Sequence, residues 1–212
     1  MDYNHFMPKS KSSKRWLREH FKDKYVKQAQ KGGYRARSAF KLLEIQQKDH
    51  LIKPGMIVVD LGAAPGGWSQ VVGELLKGKG SIFALDILPM EPLRGVEFIQ
   101  GDFREDAVVQ RLLDSMQLLK ADLVLSDMAP NISGINIADQ ARAMYLAEVA
   151  LGFAKLVLKP GGIFLVKVFQ GADFEAFLKN MRACFTKVVT RKPQASRGRS
   201  KEVYLLGKIF KF

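Results

Sequence analysis

The chain has 212 residues, 47% apolar and 26% charged, which suits one domain with a substantial core and excludes wholesale disorder. Its single cysteine, Cys184, excludes an internal disulfide, and the scattered His5, His20 and His50 lack metal-ligand spacing. The net charge of +13 sits at the ends: residues 1–35 carry ten Lys or Arg against three acids, residues 186–212 eight against one, and the stretch between them nets −1.

That asymmetry points to a polyanion held by the two ends, with a solvated basic surface as the simpler alternative. No apolar run approaches the roughly 18–20 residues that span a bilayer, so no membrane partner is expected. The polar, charged start has no signal-peptide segment, and Asp2 and Glu19 interrupt any basic presequence, so a soluble cytoplasmic protein is expected. Residues 1–13 read as a flexible basic tail, and residues 14–212 as one domain with a basic helical arm over 14–50. From Ser13 onward, Trp16, Leu17, His20, Phe21 and Tyr25 recur at spacings of three and four and predict a helix. A second helix is predicted from about Arg35 to Gln47, with Lys41 beside the apolar Phe40, Leu42 and Leu43. Lys53-Pro54-Gly55 is a turn signal, and Met56–Leu61 then reads as a strand buried on both faces. Further strands are predicted at 81–86, 96–100, 122–127 and 162–169, with helices near 67–77, 105–119, 138–158 and 173–183. Strand alternating with helix argues for an α/β fold whose mostly parallel sheet carries helices on both faces. Residues 186–191 and 202–210 read as two strands with no helix between them, so the C-terminal pair is expected to be an antiparallel hairpin.

The first strand–helix turn reads Asp60-Leu61-Gly62-Ala63-Ala64-Pro65-Gly66-Gly67-Trp68. Gly62 and Gly66 let backbone pass close to a ligand, and the loop has neither the G-x-G-x-x-G spacing nor a Walker lysine, so phosphate cradling is not its evident purpose. Gly-rich turns alone are weak signals; the next two strand ends sharpen this one. Asp86 ends the second strand, where an acid accepts hydrogen bonds from a ribose diol, and Asp102 ends the third, where a carboxylate can take a donor from an adenine amino group. Glycine, acid and acid at three successive strand ends suit an uncharged nucleoside, favouring an adenosyl over a nicotinamide cofactor. The fourth strand ends Ser126-Asp127-Met128-Ala129-Pro130-Asn131, and the fifth carries Lys167 within Phe164–Phe169. A lysine in an apolar strand needs water or a partner, and a snorkelling side chain paired with a neighbouring acid is the plainest explanation. Asp127 and Lys167 end adjacent strands, however, and Lys41 and Glu202 can complete a group of four.

These motifs resemble the FtsJ (RrmJ) family of bacterial ribosomal RNA large-subunit methyltransferases, from Trp16-Leu17-Arg18-Glu19-His20-Phe21 through Val59–Gln70 and Ser126–Asn131 to Val166-Lys167-Val168-Phe169-Gln170-Gly171. The resemblance implies a Rossmann-like class I methyltransferase fold, S-adenosyl-L-methionine as cofactor and 2′-O-methylation of a uridine ribose in large-subunit (23S) rRNA. It implies a catalytic tetrad of Lys41, Asp127, Lys167 and Glu202, with Lys167 as proton acceptor, and cofactor contacts at Gly66, Trp68, Asp86, Asp102 and Asp127. A lysine with an ordinary pKa of about 10.4 would have to fall by about three units to be neutral near pH 7. The other possibility keeps Lys167 protonated, orienting the hydroxyl and stabilising developing negative charge. The partner implied is ribosomal RNA within the large ribosomal subunit, with a monomer as the default state. Candidate RNA contacts are Lys14, Arg15, Arg18, Lys31, Arg35, Arg37, Arg197 and Arg199, with Arg191, Lys192 and Lys201 adding charge beside Glu202. Trp16 and Phe21 are favoured as core rather than stacking residues, and Tyr34 is open between the two. A tRNA or mRNA-cap enzyme and a non-catalytic RNA-binding assembly factor on the same fold are the competing functions. Cys184, in Arg182-Ala183-Cys184-Phe185, lacks an activating motif and reads as a packing residue.

Overall fold

The computed structural model describes residues 23–130, 136–197 and 200–212. The tail, the first predicted helix with Trp16, Lys14, Arg15 and Arg18, and Arg199 lie outside them. Asp23 is extended (φ −67°, ψ 120°), and its carboxylate accepts the Tyr25 N–H at 2.9 Å, so it caps helix α1 (Lys24–Lys31). Tyr25, which the spacing joined to Trp16 and Phe21, thus sits in a helix that Asp23 starts afresh, and the rest of that predicted helix lies outside the described residues. Helix α2 (Ala39–Asp49) also starts later than its spacing suggests. The residues before it bridge to the next helix: the Arg35 N–H donates to Gln70 Oε1 at 3.1 Å, and Gln70 Nε2 donates to Gly33 O at 2.8 Å. Between that bridge and the helix, the carbonyls of Ala36, Arg37 and Ser38 accept N–H groups three residues on, so a tighter turn precedes α2.

The rest alternates as predicted: β1 (Ile57–Leu61), α3 (Gly67–Leu76), β2 (Ser81–Asp86), β3 (Val96–Gln100), α4 (Asp106–Ser115), β4 (Ala121–Ser126), α5 (Asn136–Val157), β5 (Leu158–Phe169), α6 (Phe174–Cys184), β6 (Phe185–Arg191) and β7 (Glu202–Phe210). Helix α4 ends before the expected 119 because Gln117 (φ 48°) and Leu118 (φ 64°) turn left-handed. The strands make one sheet in the order β3-β2-β1-β4-β5-β7-β6. Strands β1 to β5 run parallel, and β7 lies antiparallel between β5 and β6. Chain order reverses between β1 and β4, which opens a crevice at their carboxyl ends.

Helices cover both faces. Alternate strand residues Val59, Phe83, Val124, Phe164 and Val166 pack with Leu112, Ala150, Phe177 and Cys184 from α4, α5 and α6. Their neighbours Val58, Ile82, Leu123 and Leu165 pack with Leu42, Ile45, Trp68 and Val72 from α2 and α3. Buried Cys184 is part of the first core. Helix α2 is also tied to the sheet at its end: Asp49 accepts from Arg191 Nε at 2.6 Å and Nη2 at 2.8 Å, and from Lys208 Nζ at 2.9 Å.

Candidate active site

The period of two along a strand decides which side chains meet. In β5, Phe164, Val166 and Val168 point to the α4–α6 core, so Lys167 shares the other face with Leu165. In β7, Val203 and Leu205 take the first face and Tyr204 and Leu206 the second, with Glu202 two residues before Tyr204. The antiparallel register sets Lys167 opposite Tyr204 and Phe169 opposite Glu202. Helix α2 covers this face and brings Lys41. Asp127 is the first residue past β4, fixed by its N–H donating to Leu61 O at 3.1 Å.

The four expected residues come together as two ion pairs. Lys167 Nζ lies 3.0 Å from Asp127 Oδ1 and also donates to the Asp127 carbonyl oxygen. Lys41 Nζ lies 2.6 Å from Glu202 Oε1. Lys167 and Glu202 are buried. Tyr204, which sequence reasoning missed, joins the pairs. Its hydroxyl donates to Asp127 Oδ1 at 2.7 Å, and Lys41 Nζ sits 5.7 Å from its ring centroid. The signal was present in the spacing, since Glu202 and Tyr204 must share a face if 202–210 is a strand. Burial alone would push the Asp127 carboxyl up, but the Lys167 and Lys41 cations and the bonds from Tyr204 and Lys167 outweigh it and hold the group below its ordinary range. Burial, then the charges of Asp127 and Glu202, push Tyr204 well above the usual 10, so it remains a phenol donor.

Asp127 also lines a cavity of about 650 Å³ at the carboxyl ends of the strands, with Gly62, Asp86, Asp102, Met128 and Tyr145 among its walls. Gly62 has φ +78°, and a Cβ there would lie 2.8 Å from Met128 Cγ and 2.9 Å from Met128 N, so no other residue fits. Asp86 accepts the Ala64 N–H at 2.9 Å and the Leu88 N–H at 2.8 Å, which fixes its carboxylate at the rim. Asp102 holds the Arg104 guanidinium and backbone N–H, and these bonds pull its carboxyl down to about 2. Behind the wall, fully buried Asp60 accepts from Ser69 Oγ at 2.6 Å through Oδ2, while its Oδ1 has no hydrogen-bond partner among the described residues. Burial, opposed by the Ser69 hydroxyl and reinforced by the Asp127 and Asp86 charges, raises Asp60 to about 7.

Two expected cofactor residues stand off the cavity. A Cβ on Gly66 would meet Leu93, Met90 and the Arg35 side chain, none of them a cavity wall. Trp68 is buried on the first turn of α3, its Nε1 donating to Ser38 O at 2.9 Å and its ring 5.6 Å from that of Tyr204. It backs Tyr204 instead of facing the crevice.

Among the described residues, several of the expected RNA-facing cations are held within the fold. Arg35, expected to meet RNA, donates to Pro65 O at 3.3 Å, Glu91 O at 2.5 Å and Pro92 O at 2.9 Å, pinning the β1–α3 loop to the segment after β2. Arg37 pairs with Asp23 and donates to Ala195 O. Arg191 is taken by Asp49, and Lys192 by the carbonyls of Ser200 and Glu202. Tyr34 packs edge-on against Phe40 and donates to Glu74 Oε2 at 2.9 Å, so it is a packing residue. Exposed cations on and near Lys41's helix include Lys48 on α2 and Lys24, Lys27 and Lys31 on α1, and Lys201 is exposed beside Glu202. Arg197 is half-buried. No group of His, Cys, Asp and Glu among the described residues is arranged to hold a metal, and none of their helices is long and apolar enough to cross a membrane.

Comparison with known proteins extends this picture. A protein of Nitrosospira multiformis named Ribosomal RNA large subunit methyltransferase E is 61% identical over 201 residues, covering 95% of this chain and 98% of its own. One of the same name from Alkalilimnicola ehrlichii is 62% identical, covering 93% and 95%. The crystal structure of a ribosomal RNA methyltransferase from Plasmodium falciparum superposes with a TM-score of 0.76 at 33% identity, over 84% of this chain and 98% of that one. The profile of the FtsJ-like methyltransferases matches residues 34–210, a span that holds the crevice, both ion pairs and Tyr204, and the chain belongs to that family.

Proposed function

We propose that this chain uses S-adenosyl-L-methionine to methylate a uridine ribose 2′-hydroxyl of large-subunit (23S) ribosomal RNA, acting as a monomer on the assembled subunit. The observation that carries the reading is Lys167 held on Asp127 at the wall of the crevice, with Tyr204 on the same carboxylate. The name shared by the relatives supports the choice of RNA.

The residues present fit this cofactor. Asp86 and Asp102 stand at successive strand ends as acceptors for ribose hydroxyl and adenine amino donors. Arg104 now occupies Asp102, but its side chain is more than half exposed at 56%, so it is a weak competitor. The unpartnered Oδ1 of Asp60, beside two further acids, suits a cationic ammonium group. Bound in the crevice, the cofactor supplies a methyl group already activated on a sulfonium sulfur. Gly66 and Trp68 serve it indirectly in this reading, Gly66 by letting the loop close and Trp68 by backing Tyr204.

The protein then has to align an in-line attack and take one proton. Alignment supplies much of the acceleration. Lys167 is a cation in its ion pair with Asp127, so to act as a base it first gives one proton to solvent, which leaves two N–H bonds for its two contacts on Asp127 and one lone pair for the hydroxyl proton. Lys167 takes that proton as the new carbon–oxygen bond forms, a contribution of about 10²–10⁴-fold for such a base. Ionised Asp127 fixes the amine, and Lys41, paired with Glu202, orients the ribose. The exposed lysines of α1 bind phosphates and bring the RNA to this face.

The test is incubation with labelled S-adenosyl-L-methionine and separated 23S rRNA, 16S rRNA, tRNA and both ribosomal subunits. Label is expected on a uridine ribose of the large subunit. Label on 16S rRNA, the small subunit, tRNA or ribosomal protein, or on no acceptor at all, overturns the proposal. Lys167→Ala is expected to keep cofactor affinity and lose about 10²–10⁴-fold in turnover. A variant that keeps most of its turnover means the centre lies elsewhere.

A further inference from the structure

The segment between β6 and β7 is held against α2 at two places one helical turn apart. Lys41 and Glu44 are three residues apart on α2 and so lie on one face of it. Lys41 reaches Glu202, the first residue of β7. Glu44 accepts two successive backbone N–H groups of the connecting loop, Gln194 N to Oε2 at 2.6 Å and Ala195 N to Oε1 at 3.0 Å. Arg37, just before α2, donates to the carbonyl of the same Ala195. The next residue, Ser196, is buried, with its backbone N–H donating to Pro193 O at 3.0 Å. Its hydroxyl donates to Glu202 Oε1 at 2.9 Å, the same oxygen that Lys41 holds at 2.6 Å.

These contacts close a ring: from Lys41 to Glu202, from Glu202 to Ser196, through two loop residues to Glu44, and by one turn of helix back to Lys41. We propose that Glu44 and Ser196 are positioning residues for the transfer, Glu44 setting the loop and Ser196 setting the Glu202 carboxylate on which Lys41 is aligned; this rests on the catalytic reading above. Each link has a physical reason. A carboxylate accepting two consecutive N–H groups fixes a loop in both position and direction, and a neutral amide in its place would turn a donor toward one of them. The other hydroxyl facing Glu202, that of Tyr204, is shared with Asp127 Oδ1, so without Ser196 the Oε1 that Lys41 holds loses its fixed neighbour in the loop and can swing with that long side chain. A small misplacement of a group that aligns the acceptor is felt in turnover more than in cofactor affinity.

Single-turnover and steady-state kinetics of the full chain test this with Ser196→Ala, Glu44→Gln, Glu202→Ala and the Ser196→Ala/Glu202→Ala double variant. Cofactor affinity and melting temperature are measured alongside. Ser196→Ala and Glu44→Gln are each expected to lower kcat by about tenfold, the scale of one hydrogen bond to a charged group, with cofactor Kd unchanged. Adding Ser196→Ala to Glu202→Ala is expected to cost less than about twofold more, because the group it acts through is already gone. A merely structural role would give losses that multiply in the double variant and a weakened cofactor site. Wild-type kcat in Ser196→Ala, or multiplied losses, overturns the proposal. Lys167→Ala separates it from the reading beneath: turnover retained there sinks the catalytic assignment, while turnover lost there with Ser196→Ala unaffected sinks the positioning role alone.

Discussion

Replacing Asp49 by asparagine tests how the helix that carries Lys41 is anchored. Its carboxylate, only 5% exposed as a side chain, joins the end of α2 to Arg191 on β6 and Lys208 on β7. Bonds from Arg191 first, then from Lys208, overcome the burial penalty and lower the group from 3.8 to about 2. A carboxyl that is more acidic folded than unfolded stabilises the fold by about 2 kcal/mol once pH exceeds the unfolded value. The contribution is present in full above about pH 5 and fades as pH falls toward the folded value near 2. Asp49→Asn is therefore expected to unfold about 2 kcal/mol more easily at pH 7, or about 4–8 °C lower for a chain of this size. The gap from wild type should close between pH 5 and pH 2. Thermal and urea unfolding at pH 7, 5, 4 and 3 reads both features. A gap that stays constant through the acid range, or no gap at pH 7, would refute the reasoning, because asparagine removes the charge while nearly keeping the shape.

Two further outcomes follow from the site. Tyr204→Phe removes the phenol that helps to lower Asp127, so kcat should fall on the order of tenfold to a hundredfold and the acid limb of the pH–rate profile should move to higher pH; an unmoved limb with unchanged kcat would contradict the role given to that bond. Replacing Lys24, Lys27 and Lys31 together by alanine should flatten the plot of log RNA affinity against log salt by about 2, at roughly 0.7 per phosphate contact on single strands, whereas an unchanged slope would take α1 out of the RNA surface.

Much of the fold was legible because its signals are local. Periodicity and turn chemistry located the strands within a residue or two at 81–86, 96–100 and 202–210, and the missing helix between the last two strands foretold their antiparallel pairing. The break at Asp23 and the late start of α2 have competing local causes. Asp23 caps a helix in the middle of an apparent helical period, and tighter turns over Ala36–Lys41 replace the first turn expected of α2. Within the site, the identities of Lys41, Asp127, Lys167 and Glu202 came from motifs, while Tyr204 went unnoticed because an aromatic residue in a buried strand looks like core. It is core on its ring and site at its hydroxyl.

The sequence by itself determined an α/β sheet with a glycine loop and acids at the strand ends, since each of these is written in a few consecutive residues. It also showed that positive charge gathers at both ends, but not where that charge would go. Tertiary structure decided that, because an ion pair depends on which side chains meet in space, and the partners can be far apart in the chain. Arg191 finds Asp49 across 142 residues and Arg37 reaches Ala195 across 158, so charges that composition assigns to a polyanion are held inside the fold. The same meeting of distant segments divides four polar residues into two pairs, and sets a tyrosine between them.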